Sequence, residues 1–353
     1  MKKNILISTG GSGGHVVPAT IFYEHLKKEF NVYLSSDKRG IKFLDKNKYN
    51  VEIIDTPNLS NNIFLLPFNF FLLILSFIKS IIYLKKNKIN FLISTGGYMS
   101  IPLCLAAKIF NLKIYLFEPN MVLGRMNSFF LRFSEKIFCY SNELINFPKK
   151  YLNKICLILP LLRREFYSYK TQNHSEVKSD EFNLLIIGGS QGAKFFEKSL
   201  KKEIMSLSNK FRIKVFHQIS SNKSLDLENF YNKNNIEYQI FNFQENITEI
   251  IKNTNLCITR AGASTLSELI FFNVPFIAIP YPFARDNHQF YNALFYEKKN
   301  CCWIIEQEKF KKNDFENNLI NILENNEDYQ LKKRNMKKIS YQNTWNNINQ
   351  KII

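Results

Sequence analysis

Short apolar runs rich in β-branched and aromatic residues alternate along the chain with longer segments of helical length. The runs that we predict to be strands are Asn4–Ser8, Val32–Ser35, Phe91–Ser94, Lys113–Phe117, Lys136–Tyr140, Leu184–Gly188, Lys214–His217, Tyr238–Phe241, Leu256–Thr259 and Phe276–Pro280. Alternation of strands and helices at this spacing indicates βαβ units with parallel sheets. Ligands bind at the carboxyl ends of the strands in such folds, so we expect the chemistry of this α/β protein in the loops that follow them.

Two predicted strands run directly into glycine-rich turns, at Gly10 and Gly188, that each open a helix and one half of the chain. A chain of 353 residues is long enough for two domains of similar size. The polar segment 169–181 has no periodicity and follows the predicted join. We therefore expect two Rossmann-like domains that face each other across a cleft. The predicted divisions are residues 1–162 and 163–337, with a C-terminal helix at 338–353 packing back on the first domain.

The most apolar stretch of the chain is residues 63–88, whose length suits a bilayer span. Polar residues and a proline interrupt it, at Pro67, Asn69, Ser76, Lys79 and Ser80. It closes on Lys85, Lys86 and Lys88. An apolar helix with a basic end is typical of an element that docks on an anionic membrane surface. A buried crossover helix and a transmembrane helix are the alternatives.

The formal net charge of +18 adds to the expectation of an anionic partner. Most of this charge is lysine scattered among asparagines, and no nucleic-acid-binding motif or basic stripe with regular aromatics accompanies it, so nucleic acid is not the expected partner. The six cysteines show no CxxC or framework spacing, which indicates reduced thiols in a cytosolic protein. The apolar run at Ile5–Ile7 is too short for a signal sequence. We expect a protein on the cytoplasmic face of the plasma (inner) membrane.

The first glycine turn, "TGGSGGHVVPA" at 9–19, raises the question of why a backbone so bare should end on a histidine. A turn from a parallel strand into a helix presents unpaired N–H groups and the positive end of the helix dipole. Glycines let a ligand approach that backbone closely, which favours a phosphate or polyhydroxyl ligand. The same potential favours a neutral imidazole at His15, which suits a general base. A histidine that only caps or packs is the alternative.

The second half contains a denser set of polar residues after its predicted strands. Arg260 ends one strand, and the run Ala263–Glu268 opens a helix with three hydroxyl groups suited to phosphate. Glu268 can accept hydrogen bonds from both hydroxyls of a ribose, although a capping acid in a first turn is the alternative. The residues from Asp286 to Gln289 suit recognition of sugar hydroxyls, or form a solvated loop.

Six motifs occur in order over essentially the whole chain: "TGGSGGHVVPA", "GGYMSIPLCLAA", "EPNMVLGRMN", "GGSQGAK", "RAGASTLSE" and "DNHQFYNA". With these motifs the sequence resembles the MurG family of GT-B glycosyltransferases, in glycosyltransferase family 28. The resemblance implies transfer of N-acetylglucosamine (GlcNAc) from UDP-GlcNAc to the C4 hydroxyl of the N-acetylmuramoyl (MurNAc) sugar in undecaprenyl-pyrophosphoryl-MurNAc-pentapeptide. This inverting reaction converts lipid I to lipid II in peptidoglycan biosynthesis.

The resemblance also implies roles for individual residues, with His15 as the catalytic base. Donor and phosphate contacts are implied at Ser12, Gly13, Gly14, Asn120, Arg163, Ser190, Gln244, Arg260, Ala263, Ser264, Thr265, Leu266, Ser267, Glu268 and Gln289. Acceptor-side or cleft positions are implied at Tyr98, Glu118, Asn127 and His288. The sequence departs from the family pattern at Pro119, where glutamine is usual, and before Arg163, where an Asn-Pro pair is missing.

No DxD motif follows a predicted strand, so a metal held by paired carboxylates is not expected and no cofactor is required; stimulation by Mg²⁺ stays open. The implied partners are UDP-GlcNAc, undecaprenyl-linked lipid I, the anionic cytoplasmic membrane surface and cell-wall assembly proteins. Two other enzymes are the alternatives: another GT-B transferase that makes a glycolipid from a UDP-sugar, whose donor-loop motifs overlap with these, and a UDP-GlcNAc 2-epimerase, which shares the fold and the donor. The epimerase would be expected to use clustered carboxylates, and no matching pair stands near the glycine loops.

Overall fold

The computed structural model describes residues 2–45, 47–57, 63–170, 181–220, 224–242, 247–312 and 314–347, and for 63, 170, 190–193, 310–312 and 314–318 it describes the backbone. The chain divides into two compact units. The first is Met1–Arg164 with Trp345–Ile353, and the second is Glu165–Thr344. The chain thus leaves the first unit close to the predicted join at 162/163.

The first unit contains a parallel sheet of order β3-β2-β1-β4-β5-β6-β7. Its strands are β1 Asn4–Ser8, β2 Asn31–Ser36, β3 Val51–Ile53, β4 Phe91–Ser94, β5 Lys113–Glu118, β6 Lys136–Cys139 and β7 Ile155–Leu157. Its helices are α1 Gly13–Leu26, α2 Leu66–Lys86, α3 Ile101–Ile109 and α4 Arg125–Phe130. The strand order reverses between β1 and β4, so their carboxyl ends flank the crevice where ligands bind in such sheets.

The second unit repeats this plan with the order β10-β9-β8-β11-β12-β13, again all parallel. Its strands are β8 Phe182–Ile187, β9 Ile213–Gln218, β10 Glu237–Phe241, β11 Leu256–Thr259, β12 Phe276–Ala278 and β13 Cys302–Ile304. Helix α5 at Arg164–Lys170 joins the units, and those that follow are α6 Gly189–Ser199, α7 Lys201–Lys210, α8 Leu225–Lys233, α9 Thr248–Lys252, α10 Ala263–Phe272, α11 His288–Glu297, α12 Asp314–Glu324 and α13 Asn326–Ser340. Here the reversal lies between β8 and β11.

The predicted fold class is confirmed, and each predicted strand is present with small shifts at its ends. The central strands are buried on both faces, as the fully inaccessible Leu6, Ile7 and Leu184 show, which explains their continuous apolar runs. The strands that the sequence pattern missed are β3, β7 and β13. Each has three residues, too few to show a periodicity.

The predicted C-terminal helix at 338–353 lies only partly within the described residues, since 348–353 are outside them. Helix α13 ends at Ser340 within the second unit, residues 345–347 are again helical, and the chain joins the first unit at Trp345. There the Trp345 ring stacks on His25 of α1 with 3.3 Å between ring centroids, and the Arg164 guanidinium lies 5.8 Å from the same ring. An aromatic anchor therefore holds this segment against the first unit.

Helix α2 buries three polar residues against the first unit and leaves many apolar ones exposed. Asn69, Ser76 and Ser80 are buried, and the Ser76 hydroxyl donates to the carbonyl oxygen of Asp55. Towards the end of the helix Leu84 is buried too, and Phe77, Ile81 and Tyr83 pack against the core. The exposed apolar side chains of the helix and of the turn before it are Phe64, Leu65, Leu66, Phe68, Phe70, Phe71, Ile74, Leu75, Ile78 and Ile82. In the described part of the chain, α2 alone is long and apolar enough to cross a bilayer. The alternative of an ordinary buried crossover helix is wrong, because such a helix would bury the apolar residues.

Candidate functional site

The first glycine loop lies at the carboxyl end of β1, where the sheet of the first unit reverses its order. Gly10 and Gly11 have φ angles of +150° and +75°. A Cβ atom at Gly10 would lie 2.5 Å from Oδ1 of Asp37, so the loop requires glycine there. Asp37 is fully buried, and its Oδ1 accepts from the N–H groups of Gly11 and Gly40, both at 2.8 Å. A buried carboxylate therefore fixes the shape of this loop.

His15 is the third residue of α1, and its Nδ1 lies 2.7 Å from the carbonyl oxygen of Thr95. A carbonyl oxygen only accepts hydrogen bonds, so Nδ1 carries the hydrogen and Nε2 of the neutral ring carries the lone pair. The Thr95 N–H donates to the carbonyl of Ser8 at 3.0 Å, and its hydroxyl donates to Oγ1 of Thr9 at 2.9 Å. Contacts between the ends of β1 and β4 thus set the tautomer and orientation of the imidazole.

Ser12 is the N-cap of α1, and Gly13 and Gly14 fill the first two helical positions. Ser12 forms no side-chain cap, and its carbonyl accepts from the N–H groups of His15 and Val16, so within the helix the amides of Gly13 and Gly14 have no acceptor of their own. The structure places these three predicted residues directly before His15, as bare backbone at a helix N-terminus. This arrangement suits an anionic or polyhydroxyl ligand.

The second glycine loop follows β4 and approaches the imidazole of His15. Gly96 and Gly97 have φ angles of +84° and +81°. A Cβ atom at Gly97 would lie 3.5 Å from Nε2 of His15 and 2.4 Å from Sδ of Met99. Glycine at 97 therefore keeps a side chain away from the nitrogen that bears the lone pair.

Two further predicted residues belong to the first unit: Tyr98, which follows the second glycine loop, and Arg163, which precedes α5. Tyr98 is half-buried, the Arg39 guanidinium lies 4.6 Å from its ring centroid, and burial raises the pKa of its phenol. Arg163 is half-buried in the segment that leads into α5. The structure brings Tyr98 beside the glycine loops, together with Arg39, which sequence reasoning missed.

Glu118 ends β5 and organises the loop that follows. It is 4% exposed, and its Oε1 accepts from the side-chain amide of Asn120 at 2.9 Å. Its Oε2 accepts from the N–H of Gly124 at 2.8 Å and from Nδ2 of Asn127 at 2.9 Å. The same Asn127 amide would lie 3.2 Å from a Cβ at Gly96, so this network also supports the second glycine loop. Glu118 thus positions other residues, while half-buried Asn120 is the more accessible of the two.

In the second unit, the N-terminus of α10 contains most of the predicted donor residues. The N-cap is Gly262, which has no side chain to cap the helix. The half-buried residues Ala263, Ser264 and Thr265 make up the first turn. Glu268 is also half-buried and lies one turn further on the same face as the two hydroxyls. Amides, hydroxyls and one carboxylate are therefore arranged together on this end of the helix.

Two residues of the same run lie inside the unit instead. Leu266 is fully buried, and Ser267 is 2% exposed with its hydroxyl donating to the carbonyl of Ala263 at 2.8 Å. Their side chains pack α10 against the unit. Any ligand contact at these two positions is limited to the backbone.

Arg260 at the end of β11 is 4% exposed and supports the neighbouring loop. Its Nη1 donates to the carbonyls of Ile279 and Pro280 at 3.1 and 3.2 Å, and its Nη2 donates to Oε1 of Gln307 at 2.6 Å. Burial lowers the pKa of its guanidinium to about 10, which leaves it charged at neutral pH. The geometry thus assigns Arg260 to the support of the loop after β12.

Gln289 and Asn292 of α11 fix the backbone that leads into α10. The side-chain oxygen of Gln289 accepts from the N–H of Ala261 at 3.2 Å and from the N–H of Tyr281 at 2.9 Å. Asn292 is buried, and its amide donates to the carbonyl of Ala261 at 3.1 Å. His288 is half-buried, and its Nδ1 lies 2.8 Å from the carbonyl oxygen of Arg285. Asn292 was within reach of sequence reasoning, since it belongs to the "DNHQFYNA" motif.

The glycine turn of the second unit begins α6. The N–H of Gly189 donates to the side-chain oxygen of Gln218 at 2.9 Å, a contact that the sequence did not suggest. Ser190 is the second residue of α6, and its side chain is outside the described set. Gln244 lies outside the described residues. Across the described residues, no group of three or more His, Cys, Asp or Glu side chains could hold a metal ion.

Two family models match the chain, the glycosyltransferase family 28 N-terminal domain over residues 5–139 and its C-terminal domain over residues 183–348. A relative from Pelagibacter ubique (strain HTCC1062) is 51% identical over 353 residues, which cover 100% of this chain and 98% of that protein. It is named UDP-N-acetylglucosamine--N-acetylmuramyl-(pentapeptide) pyrophosphoryl-undecaprenol N-acetylglucosamine transferase. The chain belongs to this MurG family.

Two further comparisons agree with that assignment. A transferase of the same name from Rickettsia prowazekii (strain Madrid E) is 32% identical over 358 residues, covering 92% of each chain. The crystal structure of MurG from Acinetobacter baumannii has a TM-score of 0.74 and 23% identity, covering 98% of this chain and 96% of that one. The solved structure thus shows that the MurG fold is shared, and the resemblance inferred from the six motifs is confirmed.

We predict that Glu118→Gln lowers the free energy of unfolding by about 1–3 kcal/mol, because an amide cannot accept from all the donors around this buried carboxylate. Urea denaturation measures the change. Glu143→Gln is the matched control, because Glu143 is exposed on the loop after β6. Equal stability of the two variants would contradict the organising role of Glu118.

Proposed function

We propose that this chain transfers GlcNAc from UDP-GlcNAc to the C4 hydroxyl of MurNAc in undecaprenyl-pyrophosphoryl-MurNAc-pentapeptide, with inversion at the anomeric carbon. The names of its relatives from Pelagibacter ubique and Rickettsia prowazekii support this substrate pair. The structural observation that carries the proposal is the imidazole of His15, held by Thr95 with its lone pair on Nε2. The reaction converts lipid I to lipid II in peptidoglycan synthesis.

His15 acts as the general base in this reaction. An inverting single displacement needs a base that takes the proton of the acceptor hydroxyl as its oxygen attacks the anomeric carbon. Nε2 of His15 accepts that proton, and the Thr95 carbonyl stabilises the imidazolium through the Nδ1–H bond. The bond from the anomeric carbon to the UDP oxygen breaks in the same step.

The N-terminus of α10 binds the UDP part of the donor. The first-turn amides with the hydroxyls of Ser264 and Thr265 stabilise the negative charge that develops on the leaving diphosphate. Glu268 accepts hydrogen bonds from the ribose hydroxyls. Arg260, Gln289 and Asn292 contribute by fixing the backbone before α10 and the loop after β12.

The amides and hydroxyls at the N-terminus of α10 stabilise the departing UDP, and this stabilisation does not require a metal ion bound by the protein. Support comes from the chemistry of the donor set, in which amides, hydroxyls and the helix dipole supply the positive potential. No DxD motif follows a strand in the sequence. Mg²⁺ acts at most as a stimulant in this scheme.

The chain binds peripherally to the cytoplasmic face of the plasma membrane through α2. The helix exposes large apolar side chains such as Phe68, at 60%, and Ile82, at 60%, and Phe64, in the turn before it, is 88% exposed. Exposed Lys85 and Lys86 follow at its end and complement anionic lipids. A helix that buries its serines and exposes its phenylalanines fits the boundary between headgroups and acyl chains. Such docking brings the site to an acceptor that is itself membrane-bound.

The geometry disfavours the epimerase alternative. An epimerase of this kind needs carboxylates that abstract protons, and the two buried carboxylates near the glycine loops are Asp37 and Glu118. Backbone or side-chain N–H groups occupy both oxygens of each one. Neither is placed to act as a base. A GT-B transferase with another lipid-linked acceptor stays the competing hypothesis, and an acceptor comparison in the transfer assay distinguishes the two.

We predict that the wild-type chain transfers labelled GlcNAc from UDP-GlcNAc to a short-chain lipid I analogue, and that His15→Ala loses about 10²–10⁴-fold of this rate. UDP-GlcNAc affinity, measured by calorimetry, stays unchanged in the variant because His15 contacts the acceptor. Near-normal transfer by His15→Ala would remove this residue from the base role, and an inactive wild type would refute the proposed reaction.

We predict that Glu268→Gln weakens UDP binding by about tenfold, as expected for the loss of hydrogen bonds to a charged acceptor. Calorimetric titration with UDP measures the affinity. Glu297→Gln, an exposed position at the end of α11, should bind UDP as the wild type does. Unchanged affinity in Glu268→Gln would contradict the ribose assignment.

We predict that the double variant Lys85→Gln, Lys86→Gln binds anionic vesicles less tightly by about 2 kcal/mol at low salt, from about 1 kcal/mol per lysine. Lys337→Gln with Lys338→Gln removes the same charge from exposed positions on α13 and should have little effect. Phe68→Ser should weaken binding to neutral vesicles as well. Vesicle sedimentation measures all three, and equal binding by the two double variants would contradict docking through α2.

A further inference from the structure

Arg39 is a cation held in a fixed position beside the first glycine loop. Its Nε lies 2.8 Å and its Nη2 2.5 Å from Oδ2 of the fully buried Asp37. Its guanidinium also lies 4.6 Å from the ring centroid of Tyr98. Asp37 thus contacts one edge of the guanidinium and Tyr98 lies near it, yet the Arg39 side chain is still 42% exposed. The guanidinium is thus oriented before any ligand binds and stays accessible to solvent.

The Arg39 guanidinium and the His15 imidazole both lie near the methyl group of Met99. Nη2 of Arg39 would lie 4.0 Å from a Cβ at Gly11, and the Met99 methyl would lie 3.7 Å from the same point. That methyl would lie 2.6 Å from a Cβ at Gly97, which in turn would lie 3.5 Å from Nε2 of His15. The cation and the imidazole therefore belong to one group of loops around Met99.

A cation and an imidazole on the same group of loops suit the chemistry of the acceptor. The C4 hydroxyl and the C1 phosphate of MurNAc are on opposite sides of one pyranose ring. A base that contacts the hydroxyl therefore needs a phosphate ligand about one sugar away. A guanidinium fits that task because its planar fork donates to two phosphate oxygens at once.

We propose that Arg39 binds the pyrophosphate of the lipid-linked acceptor and so places the acceptor hydroxyl at Nε2 of His15. The inference rests on the proposed function for its substrate. Preorganisation by Asp37 and Tyr98 reduces the conformational entropy lost on binding.

The position of α2 favours the acceptor phosphate over the donor phosphate. The hydroxyl of Thr56 donates to the carbonyl of Met99 at 3.3 Å, and the Ser76 hydroxyl of α2 donates to the carbonyl of Asp55, the residue before Thr56. The apolar N-terminal part of that helix, with Phe64 and Phe68 exposed, faces solvent on the same unit. A pyrophosphate attached to a membrane-embedded polyprenyl chain must lie at the headgroup level. Arg39 belongs to the unit that carries this apolar helix, whereas the residues proposed for UDP belong to the other.

Steady-state kinetics of Arg39→Gln and Arg39→Lys test the proposal. We expect Arg39→Gln to raise the KM for the lipid I analogue about tenfold or more while the KM for UDP-GlcNAc stays unchanged, because only the acceptor loses a contact. Arg39→Lys keeps the charge beside Asp37 but loses the fork, so its acceptor KM should lie between those of wild type and Arg39→Gln. Lys38→Gln is the matched control, because Lys38 is the adjacent cation, 75% exposed and paired with Asp55 at 3.2 Å.

A second measurement separates this proposal from the proposed reaction. Calorimetric titration with geranyl pyrophosphate should show binding to wild type and to Lys38→Gln, and about tenfold weaker binding to Arg39→Gln. This result holds even for a chain that fails to transfer GlcNAc, so a failed reaction does not hide it. An acceptor KM equal to that of Lys38→Gln, or a raised KM for UDP-GlcNAc, would overturn the assignment. If Arg39→Gln does not fold, a wild-type acceptor KM in Arg39→Lys overturns it instead.

Discussion

The site of the first unit depends on the hydrogen bond between Nδ1 of His15 and the carbonyl oxygen of Thr95. This bond exists because β1 and β4 are neighbours although they are distant in sequence, so the loop after each strand meets the other at the carboxyl edge. It decides which nitrogen of the imidazole carries the lone pair, and therefore which nitrogen can accept a proton. The glycines on both loops then leave room for that substrate to approach.

In both units, buried polar side chains fix the conformation of the loops through hydrogen bonds to their backbone. In the first unit the carboxylates of Asp37 and Glu118 gather N–H groups from the turns that follow β1, β2 and β5. In the second unit neutral side-chain amides accept such hydrogen bonds. Gln218 accepts one from the turn into α6, and Gln289 accepts one from the backbone before α10. A buried acceptor that lost its donors would be costly, so each network resists rearrangement of its loop. Substrates thus meet a backbone that is already in place.

The sequence predicted the longer strands, both glycine turns and the helix start at Ala263, because burial on two faces and turn chemistry leave local signals. It missed β3, β7 and β13, whose pairing is decided by neighbouring strands rather than by their own pattern. It also placed Leu266 and Ser267 among the donor contacts, although helix geometry turns their side chains into the core. The network around Asp37 left no signal, since an aspartate after a strand resembles an ordinary turn residue. The sequence also did not show that α2 buries its serines and exposes many of its apolar side chains.

The tautomer of His15 can be observed directly by NMR of protein labelled with ¹⁵N in its histidine rings, with His15→Gln used to assign the resonances. At a pH where the ring is neutral, the structure predicts a protonated Nδ1 and an Nε2 with the chemical shift of an unprotonated nitrogen. Addition of a lipid I analogue should then perturb Nε2 more than Nδ1. A neutral ring with its hydrogen on Nε2 would contradict both the Thr95 contact and the base role that depends on it.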